Sequence, residues 1–251
     1  MNGGKLEVKD LHYTYPDGHQ AIKGLSFHIH PGESVAVIGG NGAGKTTLLL
    51  LLMGLLWPTR GEIVVEDMAV TKKTLPLIRQ RMGMVFQDPD DQLFMTTVYD
   101  DVAFGPRNSK LDETEVEKRV EAALAAVGIA HLKDRAPFKL SGGEKRAAAI
   151  ASVLSMGPRI LVMDEPTAAL DPKSRRRFMD LLGSFPHTKI ITSHDLDMVY
   201  ERCDRTIVVQ NGQIIADGPT KTLLLDAKLM EESGLELPLA AQGCPVCGRR
   251  A

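Results

Sequence analysis

Gly39-Gly40-Asn41-Gly42-Ala43-Gly44-Lys45-Thr46-Thr47 directly follows the apolar run Val35-Ala36-Val37-Ile38. The spacing is G-x-x-x-x-G-K-[ST], set between a strand-like run and a leucine-rich helix start at Leu48 to Met53, which is the order a phosphate cradle requires. Glycines at 39, 42 and 44 let the backbone turn several N–H groups inward, toward an anion held at the positive end of the following helix. Lys45 then reaches the β- and γ-phosphates of a nucleotide, and the Thr46 hydroxyl ligates Mg²⁺. Asn41, Ala43 and Thr47 belong to the same nucleotide-binding stretch. A glycine-rich turn without a ligand is the plainer reading, and the complete pattern with both flanks weighs against it.

Two acids form the next group. Asp164 ends the run Ile160-Leu161-Val162-Met163, where a buried strand would deliver a carboxylate to Mg²⁺ beside the cradle. Glu165 follows, placed to face the γ-phosphate and take a proton from attacking water. Pro166 and Thr167 turn the chain sharply away, as an active-site loop does, although two acids could merely cap a strand end. His194 and Gln87 also stand at strand ends, after Lys189-Ile190-Ile191-Thr192 and after Met82 to Phe86. A histidine there can contact the γ-phosphate, and a glutamine can ligate Mg²⁺ or hold water. Each by itself would be an ordinary surface residue. Leu140-Ser141-Gly142-Gly143-Glu144 opens a helix whose first-turn N–H groups are free for a second anion. If the two phosphate-seeking helix starts cannot meet within one subunit, they must meet between two.

These groups need a sheet to deliver them, and 251 residues are enough to bury its core. Leu6 to His30 alternates apolar and polar residues about a Tyr15-Pro16-Asp17-Gly18 turn, as an antiparallel hairpin does. His28 and His30 share its wet face; they could chelate a metal, but two histidines without a third ligand nearby are more often simply the solvent side of a strand. Glu62 to Val65 is a short strand. Asp112 as N-cap, apolar residues at 116, 120, 123, 124 and 127, and Gly128 as a stop predict an amphipathic helix. Asp171-Pro172 opens another, and Asn211-Gly212 joins a hairpin between Thr206-Val209 and Gln213-Ala216. The middle of the chain, about 88 to 158, is therefore mainly helical, with strand and helix alternating on either side. A formal net charge of −2 gives no electrostatic footprint for nucleic acid. Leu48 to Trp57 falls well short of the ~20 residues of a membrane span. The first seven residues hold no apolar signal core, so the sequence predicts a soluble, intracellular chain.

Taken together, these motifs resemble the ATP-binding cassette (ABC) ATPases over nearly the whole chain. Leu140 to Glu144 is similar to the family's signature, with Glu144 where a glutamine is usual. Gln87 then corresponds to the Q-loop, Asp164-Glu165 to the Mg²⁺ residue and general base, Ala168-Ala169-Leu170-Asp171 to the D-loop, and His194 to the switch histidine. The resemblance implies an α/β fold: a P-loop NTPase (RecA-like) core with an antiparallel β subdomain, over 1–87 and 159–238, and an inserted α-helical subdomain over about 88–158. A tail follows over 239–251. It also implies ATP and Mg²⁺ as ligands, and Tyr15, in preference to Tyr13, stacked on adenine. A head-to-tail dimer would sandwich two ATP molecules, each between one cradle and the partner's Ser141, Gly142, Gly143 and Glu144.

Val85 to Phe94, Thr97-Val98 and Asp101 to Pro106 resemble the ATPases of energy-coupling-factor (ECF) importers, and the cobalt/nickel (CbiO-like) type in particular. That branch implies a homodimer, or a heterodimer with a second ATPase, at the cytoplasmic face of the membrane. An integral-membrane coupling subunit would contact Leu93, Phe94 and Met95, for which buried packing is an equal alternative, and a substrate-binding membrane subunit would take the cargo. A vitamin importer, a soluble ABC ATPase and a small-molecule P-loop kinase are the alternatives. Cys244-Pro245-Val246-Cys247 is one C-x-x-C pair, which by itself cannot close a zinc site, and Cys203 reads as packed within a helical segment.

Overall fold

A computed structural model describes residues 3–242; the Cys244 and Cys247 pair lies outside the described residues. The first sheet is antiparallel, in the order β2-β1-β4-β5, from β1 (Leu6–Thr14), β2 (Gln20–Ile29), β4 (Arg60–Val65) and β5 (Met68–Ala69). Between β2 and β4 run β3 (Ser34–Ile38) and α1 (Lys45–Leu52), and after β5 come α2 (Leu75–Arg81) and β6 (Met82–Val85). A helical stretch follows, with α3 (Val98–Asn108), α4 (Glu113–Ala126) and α5 (Gly142–Leu154). The chain then alternates through β7 (Ile160–Asp164), α6 (Pro172–Ser184), β8 (Thr188–Thr192) and α7 (Leu196–Arg202). It closes with β9 (Arg205–Gln210), β10 (Gln213–Pro219), α8 (Thr220–Leu223) and α9 (Ala227–Glu232).

The second sheet has the order β10-β9-β3-β8-β7-β6, with every pair parallel except the β10 edge. All five residues of β3, β7 and β8 are buried, as strands covered on both faces must be. Side chains alternate across a strand. Ala36 and Ile38 therefore join one core with Leu161, Met163 and Ile191, against α3 to α7. Val35 and Val37 join another with Ile160, Val162 and Ile190, against α1 and the antiparallel sheet. Because the strands are parallel, Ile38, Val85, Asp164 and Thr192 all end at one edge, where open α/β sheets bind ligands.

Local chemistry fixes the ends. Asp112 accepts the Glu115 N–H at 3.0 Å to start α4, and the Asp171 carboxylate accepts from Lys173 and Ser174 to start α6. Asn211 and Gly212 take φ of 50° and 78°, the two positive values a two-residue hairpin turn needs. His28 and His30 are exposed, with ring centroids 4.7 Å apart, and no group of three His, Cys, Asp or Glu suited to a metal ion occurs among the described residues. Cys203 departs from expectation in one respect. It is buried, but α7 stops at Arg202 and Cys203 is its extended C-cap, with burial raising its thiol pKa to about 12. No helix among the described residues is long and apolar enough to cross a membrane.

Candidate functional site

A cavity of about 390 Å³ opens at the carboxyl edge of the parallel sheet. Asn41 to Thr47, Tyr15, Gln87, Asp164, Glu165 and His194 line it, so residues from five separate stretches of chain meet there. Gly44, at φ 103°, is the N-cap of α1, and a Cβ on it would stand 2.7 Å from the Ala21 carbonyl oxygen. Gly39 packs against β9. A Cβ there would fall 2.1 Å from the Val209 oxygen, so glycine lets the loop lie against β9. The Gly39 carbonyl also accepts from Lys45 Nζ, so Gly39 packs the loop and holds the lysine.

Lys45 is buried, and its Nζ donates to the carbonyls of Gly39 (2.8 Å) and Gly40 (3.1 Å) while lying 3.3 Å from His194 Nε2. Burial pulls its ammonium below the ordinary lysine value, and the Glu165 and Asp164 carboxylates pull it partly back. A buried cation held by two carbonyls and an imidazole nitrogen, facing two acids across an open cavity, suits an anionic ligand. Thr46 is exposed on the cavity wall, whereas Thr47 is buried and hydrogen-bonded to the Tyr15 hydroxyl at 2.9 Å. Tyr13 belongs to the core, so Tyr15 is the one of the pair on the cavity, with the His19 ring nearly parallel to it at 6.3 Å. His19 was not legible as a site residue; its place in the turn after Tyr15 was its only signal.

The Thr192 hydroxyl donates to Asp164 Oδ1 at 2.5 Å and fixes that carboxylate. Glu165 sits one residue past β7 at φ 45°, a left-handed conformation that costs a non-glycine residue about 1–3 kcal/mol and is held where the surroundings over-determine it. Two contacts do so here: its N–H donates to the Thr192 carbonyl (3.1 Å), and its Oε2 accepts the His194 N–H (2.9 Å). Oε1 is buried without a hydrogen-bond partner and lies 3.6 Å from His194 Nε2. A bare carboxylate oxygen on a polar cavity is what a general base or a cation-bridging group presents before its ligand arrives.

Ser141, Gly142, Gly143 and Glu144 do not line this cavity. Ser141 caps α5, and the Glu144 carboxylate accepts both the Ser141 N–H and its hydroxyl at 2.8 Å, closing a capping box. Those bonds hold the Glu144 carboxyl below its usual range. Its role, open from sequence, is therefore to order the first turn of α5. A Cβ on Gly143 would meet Ser174 Oγ at 2.4 Å, so the signature turn packs against the start of α6, where Asp171 caps the helix and is likewise held low by Ser174. Of the apolar trio 93 to 95, only Phe94 is prominent at the surface. It is 64% exposed and edge-on to the 43% exposed Phe104 at 5.0 Å, while Leu93 is core.

The ABC transporter family pattern matches residues 22–168. A putative ABC transporter ATP-binding protein of Geobacter sulfurreducens is 61% identical over 97% of this chain and 98% of its own length. The energy-coupling factor transporter ATP-binding protein EcfA of Methanothermobacter thermautotrophicus is 45% identical over 94% of this chain and 78% of its own. Among solved structures, cbiO1 of Clostridium perfringens, described as part of the ABC transporter complex cbiONQ, superposes with a TM-score of 0.81. It is 42% identical, with 90% of this chain and 93% of that one covered. With the cradle, the paired acids and the capped signature turn in these positions, the chain belongs to the ABC transporter family as an ATP-binding subunit bearing an ABC ATPase domain.

Proposed function

We propose that this chain is the ATP-hydrolysing subunit of an ECF-type importer that takes up cobalt or nickel, working as a head-to-tail homodimer on the cytoplasmic face of the membrane. The observation that carries the ATP site is Glu165. Its buried, unpartnered Oε1 opens on the same cavity as Lys45, Asp164, Gln87 and His194. Asn41 to Thr47 present N–H groups to the phosphates, Lys45 bridges the β- and γ-phosphates, and Tyr15 backs the adenine. Thr46, Asp164 and Gln87 would hold Mg²⁺, and the donor set fits, because a hydroxyl, a fixed carboxylate and an amide oxygen are the hard ligands that ion takes beside phosphate oxygens. Bound Mg²⁺ would neutralise charge on the β- and γ-oxygens. Glu165 accepts the proton of the water whose oxygen bonds to the γ-phosphorus. The bond to the β–γ bridging oxygen breaks, giving ADP and phosphate, with His194 and Lys45 stabilising the equatorial charge.

A second copy completes the site, because the signature turn is capped and exposed yet lies off its own cradle's cavity. Mixing tests this directly. Lys45→Ala and Ser141→Arg chains are each inactive, and a mixture restores about a quarter of wild-type turnover, half its dimers being mixed with one intact site each. A mixture as inactive as its components would refute the dimer.

For the membrane partner, a groove of about 310 Å³ lined by Met53, Met82, Met84, Phe94, Phe104 and Met156 fits one apolar helix of an integral coupling subunit. A second membrane subunit binds the cargo. Cobalt or nickel as that cargo rests on the likeness to cbiO1 and on the Val85 to Pro106 stretch. Uptake of radiolabelled cobalt and nickel, against labelled vitamins, in cells carrying Glu165→Gln in place of the wild-type gene decides between metal and vitamin.

A further inference from the structure

Arg146 lies in the second turn of α5, 3% exposed, where a charged side chain ordinarily pairs with a carboxylate. It makes no salt bridge among the described residues. Its guanidinium instead donates to two consecutive backbone carbonyls, those of Phe86 and Gln87, at 2.6 Å each, and its Nε is left without a partner. Burial draws its pKa down, with only the Asp88 charge opposing. The same strip of α5 grips this loop twice more. Gln92 accepts the Phe86 N–H at 3.2 Å and donates to the Ala149 carbonyl (2.7 Å) and the Ser152 hydroxyl (2.9 Å), and Lys145 pairs with Asp90 at 2.6 Å. Residues 86 to 92 are therefore tied to the helix that Ser141 begins, at points spread over three of its turns.

We infer that Arg146 is the positioning residue that makes the Gln87 loop and the signature helix one body, so that the Gln87 side chain takes its place in the cavity only as the start of α5 takes its place on the partner's nucleotide. This rests on the assignment of Gln87 and Ser141 to the ATP site. A planar guanidinium can serve two adjacent carbonyls at once, which a lysine ammonium on a flexible stem does poorly. A buried cation held by a loop's carbonyls also penalises any state in which loop and helix separate, since the charge would then be buried with no acceptor.

The test is a double-mutant cycle with Arg146→Met and Gln87→Ala in ATP turnover by the purified chain, read with amide hydrogen exchange of the nucleotide-free protein. Arg146→Met keeps the volume and removes donors and charge, so folding is retained. It lowers kcat at least tenfold in the wild-type background, leaves KM for ATP within about twofold, and has no further effect once Gln87 is alanine. Arg146→Lys falls between. Amides of residues 87 to 92 lose protection in Arg146→Met while those of the cradle do not. Equal loss of kcat in both backgrounds, or unchanged exchange at 87 to 92, overturns the inference. Should the wild type prove inactive by itself, the ATPase assignment is what fails in that assay, and the exchange experiment still decides on the clamp.

Discussion

Glu165→Gln separates binding from chemistry in this site. The substitution keeps size and one oxygen, and that oxygen can still accept the His194 N–H that Glu165 Oε2 now takes at 2.9 Å. The other position changes from a buried oxygen without a partner to an amide, which cannot take a proton from water. Because no existing bond is lost and a buried charge is removed, folding stability stays within about 1 kcal/mol of wild type. Loss of a general base costs about 10²–10⁴ in rate, which at about 1.36 kcal/mol per tenfold is roughly 3–5 kcal/mol of transition-state stabilisation. Phosphate release under excess ATP and Mg²⁺ gives the rate, and light scattering of the same sample gives the mass. The variant should bind ATP, turn over at least a hundredfold more slowly and accumulate as a dimer, since ATP bound between two copies holds them together until it is cleaved. Turnover above about a tenth of wild type would remove Glu165 from the role of base. A slow variant that stays monomeric with ATP bound would leave the base assignment standing and refute the homodimeric sandwich.

Glu144→Gln keeps both acceptor bonds to Ser141 and should leave turnover and stability near wild type, whereas Glu144→Ala opens the capping box and costs about 1 kcal/mol in thermal unfolding. Since the folded-state pKa of Glu144 is depressed, the carboxylate's contribution is present above the unfolded value near 4.3 and lost as pH falls through the lower folded one. Acid titration of unfolding should therefore show a loss in wild type that Glu144→Gln lacks. Phe94→Asp places a charge on the apolar groove without touching the cavity, so solution ATP turnover should persist while binding to the coupling subunit, measured by co-purification from membranes, is lost. Retained co-purification would move that contact elsewhere.

The sequence by itself determined the phosphate cradle, the strand ends that carry Asp164 and His194, the caps of α4 and α6 and the turn at Asn211-Gly212. Each of these depends on neighbours within a few residues, where glycine freedom, capping oxygens and apolar periodicity act directly. The sequence also placed Ser141 to Glu144 at a helix start, although the use of Glu144 came only from its geometry, a carboxylate folded back onto its own N-cap. What tertiary structure decided depends on residues far apart in the chain. The burial of Leu93 beside an exposed Phe94 follows from how α3 and α5 pack. Gly39 is explained by β9, some 170 residues away, whose Val209 carbonyl leaves no room for a side chain. Arg146 carried no signal in sequence, because a basic residue on a helix is ordinarily solvated. Only the approach of the Phe86 and Gln87 carbonyls buries its charge and gives it acceptors.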